Sequence, residues 1–208
     1  MTQGLLFLGG ELKKTRRLVN LAKGADVVIA ADGGALNALK LGVQPDHIVG
    51  DLDSLSSKDL KKFKKARIHR HPSNKDKSDG ELALELLLSQ KPSEIIIFGT
   101  IGGRPDHSLS ALQLLSKISK SILAKMVSHD FEIFFTEDWV TLRGKKGDLV
   151  SLLPQDREGA QVTTRGLCYA LKNQHLRFGS HGVSNRMTEN KVGIKVLKGA
   201  LFIFHQLS

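Results

Sequence analysis

The sequence has little cysteine, tryptophan or tyrosine, with one of each among its 208 residues. A single cysteine, Cys168, can form neither an internal disulfide nor a cysteine-based zinc site, and it favours a reducing compartment, so we expect a cytoplasmic protein. No run of about 18 apolar residues occurs, so we expect no membrane-spanning helix and no membrane partner. The first fourteen residues carry no basic region ahead of a long apolar core, which predicts no secretory signal there.

The net charge of +10 raises the possibility of a nucleic-acid partner. The excess is spread along the chain, with 20 Lys and Arg against 13 Asp and Glu up to residue 126, and 11 against 8 beyond it. The densest basic stretch, residues 58–67, has Leu60 and Phe63 three apart and predicts a solvated amphipathic helix. A basic nucleic-acid-binding protein using this helix is one alternative, but aromatic residues for base stacking are scarce. We interpret the charge as solubility and attraction of anionic substrates, and expect no nucleic-acid partner.

The apolar pattern changes near residue 126 and predicts two domains. Before that point, short continuous apolar runs alternate with helical patterns, which is typical of a parallel sheet covered by helices. Beyond it, short strand candidates between regularly spaced glycines predict an antiparallel sandwich, with Trp139 in its core. We therefore expect an α/β fold, with residues 1–126 as a mostly parallel sheet covered by helices and residues 127–208 as an all-β antiparallel sandwich. The strand candidates of the second part are residues 131–135, 139–142, 148–153, 160–164, 169–171, 177–178, 191–197 and 200–204.

In the first domain, aspartates stand where apolar strands end. Asp32, followed by Gly33, ends one strand, and Asp51 and Asp53 follow another. In an open α/β sheet, ligands bind beyond the carboxyl ends of the strands. Asp51 and Asp53 are two residues apart, so in an extended segment they project to the same side and can share a cation. One such aspartate is more often a helix N-cap, but a series of them favours a binding site.

A third acidic element lies just before a predicted helix over residues 80–89. Asp76 and Asp79 are three residues apart at its start, so both can face one ligand, and Ser78 or Asp79 is the candidate N-cap. Carboxylates without a cysteine or histidine cluster suit Mg²⁺ rather than Zn²⁺.

A fourth element joins a buried strand to the next helix. Arg104, Pro105, Asp106 and His107 lie there, at a helix N-terminus that favours anions. Arg104 supplies a planar, permanently charged fork suited to phosphate, whereas His107 is as readily a packing or capping residue. The chain has neither a G-x-x-x-x-G-K-[ST] nor a G-x-G-x-x-G motif, so the common nucleotide-binding folds are not predicted.

Taken together, these elements resemble the thiamine pyrophosphokinase family over almost the whole chain. In the second domain, Tyr169 and the pair Ser184 and Asn185 stand where that family has its thiamine-contacting segments. The resemblance rests on the order and spacing of residues 8–10, 31–34, 45–46, 50–54, 75–79, 102–107, 164–171 and 184–185.

The resemblance implies transfer of a pyrophosphoryl group from ATP to the hydroxyl of thiamine, giving thiamine diphosphate and AMP. It implies Mg²⁺ held by Asp51, Asp53 and Asp79, with Arg104 completing the catalytic set. The residues implied in binding ATP or thiamine are Asp32, Gly33, Asp76, Arg104, Asp106, His107, Tyr169, Ser184 and Asn185.

The resemblance also implies a homodimer whose active site combines the first domain of one chain with the second domain of the other. A diphosphokinase acting on another alcohol is the closer alternative, because any such enzyme shares the acidic elements. Only the region of Tyr169, Ser184 and Asn185 argues for thiamine itself.

Overall fold

A computed structural model describes residues 2–208 of the chain, which forms two compact units, Met1–His129 and Asp130–Ser208. None of the helices in the described part of the chain is long and apolar enough to cross a membrane. The α/β architecture predicted from the sequence is confirmed, with a parallel sheet and helices first and antiparallel sheets second.

The described part of the first unit contains six parallel strands and five helices. The elements in chain order are β1 Gln3–Phe7, α1 Arg16–Ala22, β2 Val27–Ala31, α2 Gly34–Lys40, β3 His47–Gly50, α3 Ser57–Leu60, β4 Arg67–Arg70, α4 Asp79–Ser89, β5 Glu94–Phe98, α5 Pro105–Ser116 and β6 Leu123–Val127. The parallel strands have the order β6-β5-β1-β2-β3-β4, and the strands in the middle are almost wholly buried because their side chains are apolar on both faces.

The strand order reverses on either side of β1, because the chain proceeds from β1 to β4 in one direction and places β5 and β6 on the other. The loops after β1 and β5 therefore flank a topological switch point, where open α/β sheets bind ligands. Gly99 has φ +67° and its added Cβ would lie 2.2 Å from the Leu8 carbonyl oxygen, so only glycine allows this approach. Asn37 of α2 donates hydrogen bonds of 2.8 Å to the carbonyls of Leu8 and Gly10 and so fixes the first of these loops.

One prediction about the first unit is wrong. The helix predicted over residues 58–67 ends at Leu60, and Phe63 is buried in a turn. Arg67–Arg70 instead form β4, which pairs in parallel with β3 although most of its side chains are exposed. β6 ends at Val127 and pairs with β5, and the first unit extends to His129; the domain boundary expected after residue 126 stays a prediction.

The second unit is antiparallel throughout. One of its sheets has the strand order β12-β9-β14-β7 and the other β11-β10-β13-β8, and apolar side chains on alternate positions of these strands form a common core. The strands are β7 Phe131–Thr136, β8 Trp139–Arg143, β9 Leu149–Pro154, β10 Ala160–Arg165, β11 Gln174–Leu176, β12 Asn185–Arg186, β13 Lys191–Lys198 and β14 Leu201–Gln206.

Three predictions about the second unit are wrong. Residues 169–171 and 177–178 are not strands; the first follows a turn at Gly166, which has φ +78°, and the second lies just beyond β11. Trp139 is half exposed, because Val140 and Leu142 face the core and the alternation of the strand turns Trp139 outward.

A buried histidine contacts a buried carboxylate in the second unit. His205 Nε2 lies 3.1 Å from Asp148 Oδ2, and the backbone N–H groups of Lys145 and Ser208 also donate to the Asp148 carboxylate. Burial alone would raise the pKa of Asp148, but these hydrogen bonds together outweigh it and hold the pKa below its ordinary value.

Candidate active site

Three carboxylates meet at the carboxyl edge of the parallel sheet. One oxygen from each of Asp32, Asp51 and Asp79 lies within 4.8 Å of the other two. Asp32 follows β2, Asp51 follows β3 and Asp79 begins α4, so elements far apart in sequence supply this carboxylate trio. The topology brings them together because neighbouring parallel strands end at the same edge of the sheet.

The loops that carry the trio depend on unusual backbone conformations. Asp32 has φ +44° and Leu52 has φ +68°, and the Leu52 N–H donates to Asp32 Oδ1 at 2.9 Å. Gly50, at φ +150°, lies against the Asp32 side chain, since an added Cβ would lie 2.3 Å from Asp32 Oδ1. Strain of this kind persists only where surrounding structure holds it, and it clusters at binding sites.

Asp32, like the other two members of the trio, is partly buried. Burial raises its pKa to about 6, against the hydrogen bond from Leu52, which lowers it, and the nearby charges of Asp79, Asp51 and Asp53 raise it further. A carboxyl group in this position becomes easier to ionise when a cation is near, so its surroundings favour a bound positive ion.

Asp51 has donors of its own. The Ser73 hydroxyl donates to its carboxylate and is the main cause of a pKa below the ordinary value, and the Asp53 N–H donates to Asp51 Oδ1 at 3.1 Å. The side chain of Asp53 is exposed and lies outside the carboxylate trio. Its role as a metal ligand stays a prediction, and the structure places it beside the trio rather than in it.

Asp79 begins α4, where Ser78 is the N-cap and its side chain accepts from the Glu81 N–H at 3.2 Å. Oδ1 of Asp79 is buried, and Lys75 Nζ lies 2.8 Å from it. Within the described chain this oxygen accepts no hydrogen bond, so Lys75 is its charged neighbour rather than a hydrogen-bond donor to it. Asp76, by contrast, is exposed and is not part of the trio.

Arg104 is the N-cap residue of α5, with Pro105 in the first turn. Its guanidinium donates two hydrogen bonds to Asp106, from Nε to Oδ1 at 3.2 Å and from Nη2 to Oδ2 at 2.6 Å. The hydrogen bond from Arg104 lowers the pKa of Asp106 to about 2. Both side chains are about two-thirds exposed, and His107 is also exposed, so the arginine fork is fixed in direction but open to solvent.

In the second unit, the side-chain amide of Asn185 forms hydrogen bonds with the backbone of Tyr169. Its Oδ1 accepts from the Tyr169 N–H at 3.0 Å and its Nδ2 donates to the Tyr169 carbonyl at 2.9 Å. Tyr169 itself is 74% exposed. Ser184 is exposed, has φ +63°, and its N–H donates to Ser151 Oγ at 3.1 Å. Asn185 therefore holds the backbone of Tyr169 in place, while the Tyr169 ring stays exposed. Direct contact of Tyr169, Ser184 and Asn185 with thiamine stays a prediction.

Sequence reasoning missed Ser73, Lys75 and Asn37 as parts of the site. Ser73 and Lys75 lie in a loop without regular periodicity, so nothing in the pattern places them beside Asp51 and Asp79. The spacing of Lys75 and Asp79, four residues apart across a helix start, is the signal that could have revealed their contact. The contacts of Asn37 with the loop after β1 have no counterpart in the local sequence.

The residues present fit a magnesium ion. The donor set is three carboxylates, and Mg²⁺ prefers such oxygen ligands. The buried Asp79 Oδ1 accepts no hydrogen bond from the residues that the structure describes, although Lys75 Nζ lies 2.8 Å from it. Burial, and then the neighbouring carboxylates, raise the pKa of Asp32, and a bound cation would offset both effects.

The chain is similar to known proteins along almost its full length. It is 29% identical over 181 residues to a thiamine pyrophosphokinase of Bacillus subtilis, covering 84% of this chain and 85% of that protein. A solved structure of thiamin pyrophosphokinase from Geobacillus thermodenitrificans is 26% identical, covers 100% of this chain and 98% of that one, and has a TM-score of 0.84. The solved Bacillus subtilis structure, at 24% identity with all of both chains covered, has a TM-score of 0.87 and shows the fold.

Two family descriptions match separate parts of the chain. The catalytic domain of thiamin pyrophosphokinase matches residues 18–127, and the vitamin B1 binding domain of thiamin pyrophosphokinase matches residues 139–201. The first match alone covers more than half of the chain and contains the whole carboxylate trio. The resemblance predicted from the motifs is thus confirmed, and the chain belongs to the thiamin pyrophosphokinase family of transferases.

Proposed function

We propose that this chain transfers the pyrophosphoryl group of ATP to the hydroxyethyl oxygen of thiamine and releases AMP. The carboxylate trio of Asp32, Asp51 and Asp79, within a member of this family, is the observation that carries the proposal. Its position at the carboxyl edge of a parallel sheet is where substrates bind in such folds. The single cysteine agrees with action in the reducing cytoplasm.

The trio would hold Mg²⁺, with Asp53 beside it as a further predicted ligand. When bound, the ion would supply positive charge that neutralises the phosphate oxygens of the nucleotide. Asp76, exposed in the loop before α4, is proposed to contact the nucleotide together with Gly33, where α2 begins.

Arg104 would hold a phosphate oxygen. A guanidinium has five N–H donors, and Asp106 takes two of them, so the others remain available to an anion at this exposed position. Asp106 keeps the fork in one orientation, and His107, next along α5, is proposed to line the same side of the nucleotide.

Tyr169 and Ser184 are proposed to contact thiamine, with Asn185 holding the Tyr169 backbone in place. The exposed ring of Tyr169 is free to lie against an aromatic, cationic substrate, an arrangement that favours cation–π attraction.

Incubation of the protein with ATP, Mg²⁺ and thiamine tests the proposal. We expect thiamine diphosphate and AMP in equal amounts, measured by chromatography of the products. ADP with thiamine monophosphate would contradict pyrophosphoryl transfer, because it marks transfer of one phosphate. AMP production with another alcohol but not with thiamine would assign the chain to a different substrate.

We also propose a homodimer in which each active site combines the first domain of one chain with the second domain of the other. Mixing Asp53→Asn with Asn185→Ala under subunit exchange tests this, because one mixed dimer then carries one intact and one doubly damaged site. Partial recovery of activity is expected at thiamine concentrations well below KM, where Asn185→Ala is impaired as well as Asp53→Asn. Absence of recovery despite demonstrated exchange, or a monomer in sedimentation, would contradict the shared site.

A further inference from the structure

Lys75 is a lysine held among carboxylates. Its side chain is only 15% exposed, and its Nζ lies 2.8 Å from Asp79 Oδ1. Its charge also acts on Asp51, where it helps to lower the pKa of that carboxylate. Lys75 therefore interacts with two members of the carboxylate trio, although it belongs to none of the strands that end there.

Lys77, two residues further along the same loop, provides a direct contrast. It pairs with Glu85 at 2.6 Å, and both side chains are about half exposed. A pair in solvent contributes little, because water screens it and the long side chains lose freedom in making it. The two lysines thus carry the same charge on the same loop, but only Lys75 places it inside the acidic site.

The charge of Lys75 has opposite consequences for the two ligands of the site. It repels a divalent cation that approaches the trio, and it attracts the triphosphate of a nucleotide. At separations of a few ångströms in a partly buried site such interactions are strong enough to change affinities severalfold.

We propose that Lys75 is a positioning residue that balances the charge of the trio, lowering its affinity for the free metal ion and raising its affinity for the polyphosphate. The site then accepts the ion chiefly together with the nucleotide. This inference deepens the proposed function and rests on it, since it assumes that the trio binds a divalent ion.

Binding measurements on the intact protein test the inference without relying on turnover. The variant Lys75→Met keeps the length of the side chain and removes its charge. Its affinity for Mn²⁺, measured by electron paramagnetic resonance in the absence of nucleotide, is expected to tighten roughly tenfold. Its affinity for α,β-methylene-ATP in the presence of EDTA, measured by calorimetry, is expected to weaken about fivefold or more.

The two affinities are expected to change in opposite directions, which separates a charge effect from structural damage, because damage would weaken the binding of both ligands. Lys75→Arg, which keeps the charge, should bind both ligands like the parent protein, and Lys77→Met should leave both affinities unchanged. Unchanged or weaker Mn²⁺ binding in a folded Lys75→Met variant would overturn the inference, as would an equal response in Lys77→Met. If the parent protein itself binds no Mn²⁺, the inference falls together with the proposed metal site, so the two failures are distinguishable.

Discussion

The two units of the chain use their polar side chains differently. In the first, the negative charges of Asp32, Asp51 and Asp79 come together, Asp79 Oδ1 accepts no hydrogen bond from the described residues, and the pKa of Asp32 is raised to about 6 by burial and neighbouring charge. In the second, Asp148 and Asn185 are surrounded by groups that satisfy them. Polar groups without hydrogen-bond partners are available to ligands, whereas polar groups with partners stabilise the fold. Substitutions in the first unit should therefore lower activity, and substitutions in the second should lower stability or change substrate binding.

The largest expected effect is on the carboxylates of the first unit. Asp51→Asn and Asp53→Asn should each leave the fold intact and lower kcat by about a hundredfold or more, because an amide cannot replace a carboxylate on Mg²⁺. Steady-state kinetics at limiting Mg²⁺, with circular dichroism to verify folding, measures this. Glu85→Gln on the exposed side of α4 is the matched control and should retain activity. Near-normal turnover in both aspartate variants would remove the metal assignment.

Asp148→Ala should instead damage stability. The substitution leaves His205 buried without its carboxylate and removes the acceptor of two backbone N–H groups, so we expect a loss of about 3 kcal/mol in the free energy of unfolding. Urea denaturation measures it, and Asp156→Ala in an exposed turn is the control. A stability equal to that of the parent would mean that the buried pair contributes nothing, and the contrast between the units would not hold.

Asn185→Ala should affect substrate binding in the second unit. Because the Asn185 amide holds both backbone groups of Tyr169, its loss frees this segment, and we expect KM for thiamine to rise about tenfold with little change in kcat, from a hydrogen-bond loss of about 1–2 kcal/mol. Kinetics at varied thiamine and saturating ATP measure this. An increase in KM for ATP alone would place Tyr169 away from thiamine.

The smallest expected effect is on the pH dependence of metal binding. Since the pKa of Asp32 in the folded protein is about 6, the ion must displace a proton at pH 5 but not at pH 7. Mn²⁺ affinity should therefore increase severalfold over this range, and Asp32→Asn should bind more weakly and without that slope. Without metal, the raised pKa makes the contribution of Asp32 to stability decline as pH rises from about 4 to 6. A flat Mn²⁺ affinity profile in the parent protein would exclude Asp32 from the site.

The sequence predicts the parts of the site that follow from regular structure. Apolar runs followed by Asp32 or Asp51 locate the carboxyl ends of strands, and parallel pairing then brings these ends together. The sequence did not predict β4, because Arg67–Arg70 lack an apolar face and form a strand only through pairing with β3. The lysine-rich segment before it does not continue as a helix, because like charges on successive turns repel and the chain must turn to enter β4.

Contacts that depend on irregular loops could not be predicted. Ser73 bonds Asp51, and Lys75 neighbours Asp79, because the loop after β4 folds back over the end of β3, which no periodicity describes. The pairing of Asn185 with Tyr169 likewise joins the short strand β12 to an irregular segment sixteen residues earlier. The motif that contains Tyr169 was predicted as a strand, and the turn at Gly166 is the reason it is not one.

The position of β4 has a consequence for how the site would be lost. β4 is four residues long, mostly exposed, and lies at the outer end of the parallel sheet of the first unit, where it is joined to β3 by backbone bonds and by the 2.8 Å contact between His47 Nδ1 and His69 Nε2. The loop that it leads into carries Ser73 and Lys75. Local unfolding of such an edge requires far less free energy than unfolding of the whole unit. The amide hydrogens of β4 should therefore exchange early, and ligands that bind the trio should slow them, so that the most easily opened strand also reports whether the site is filled.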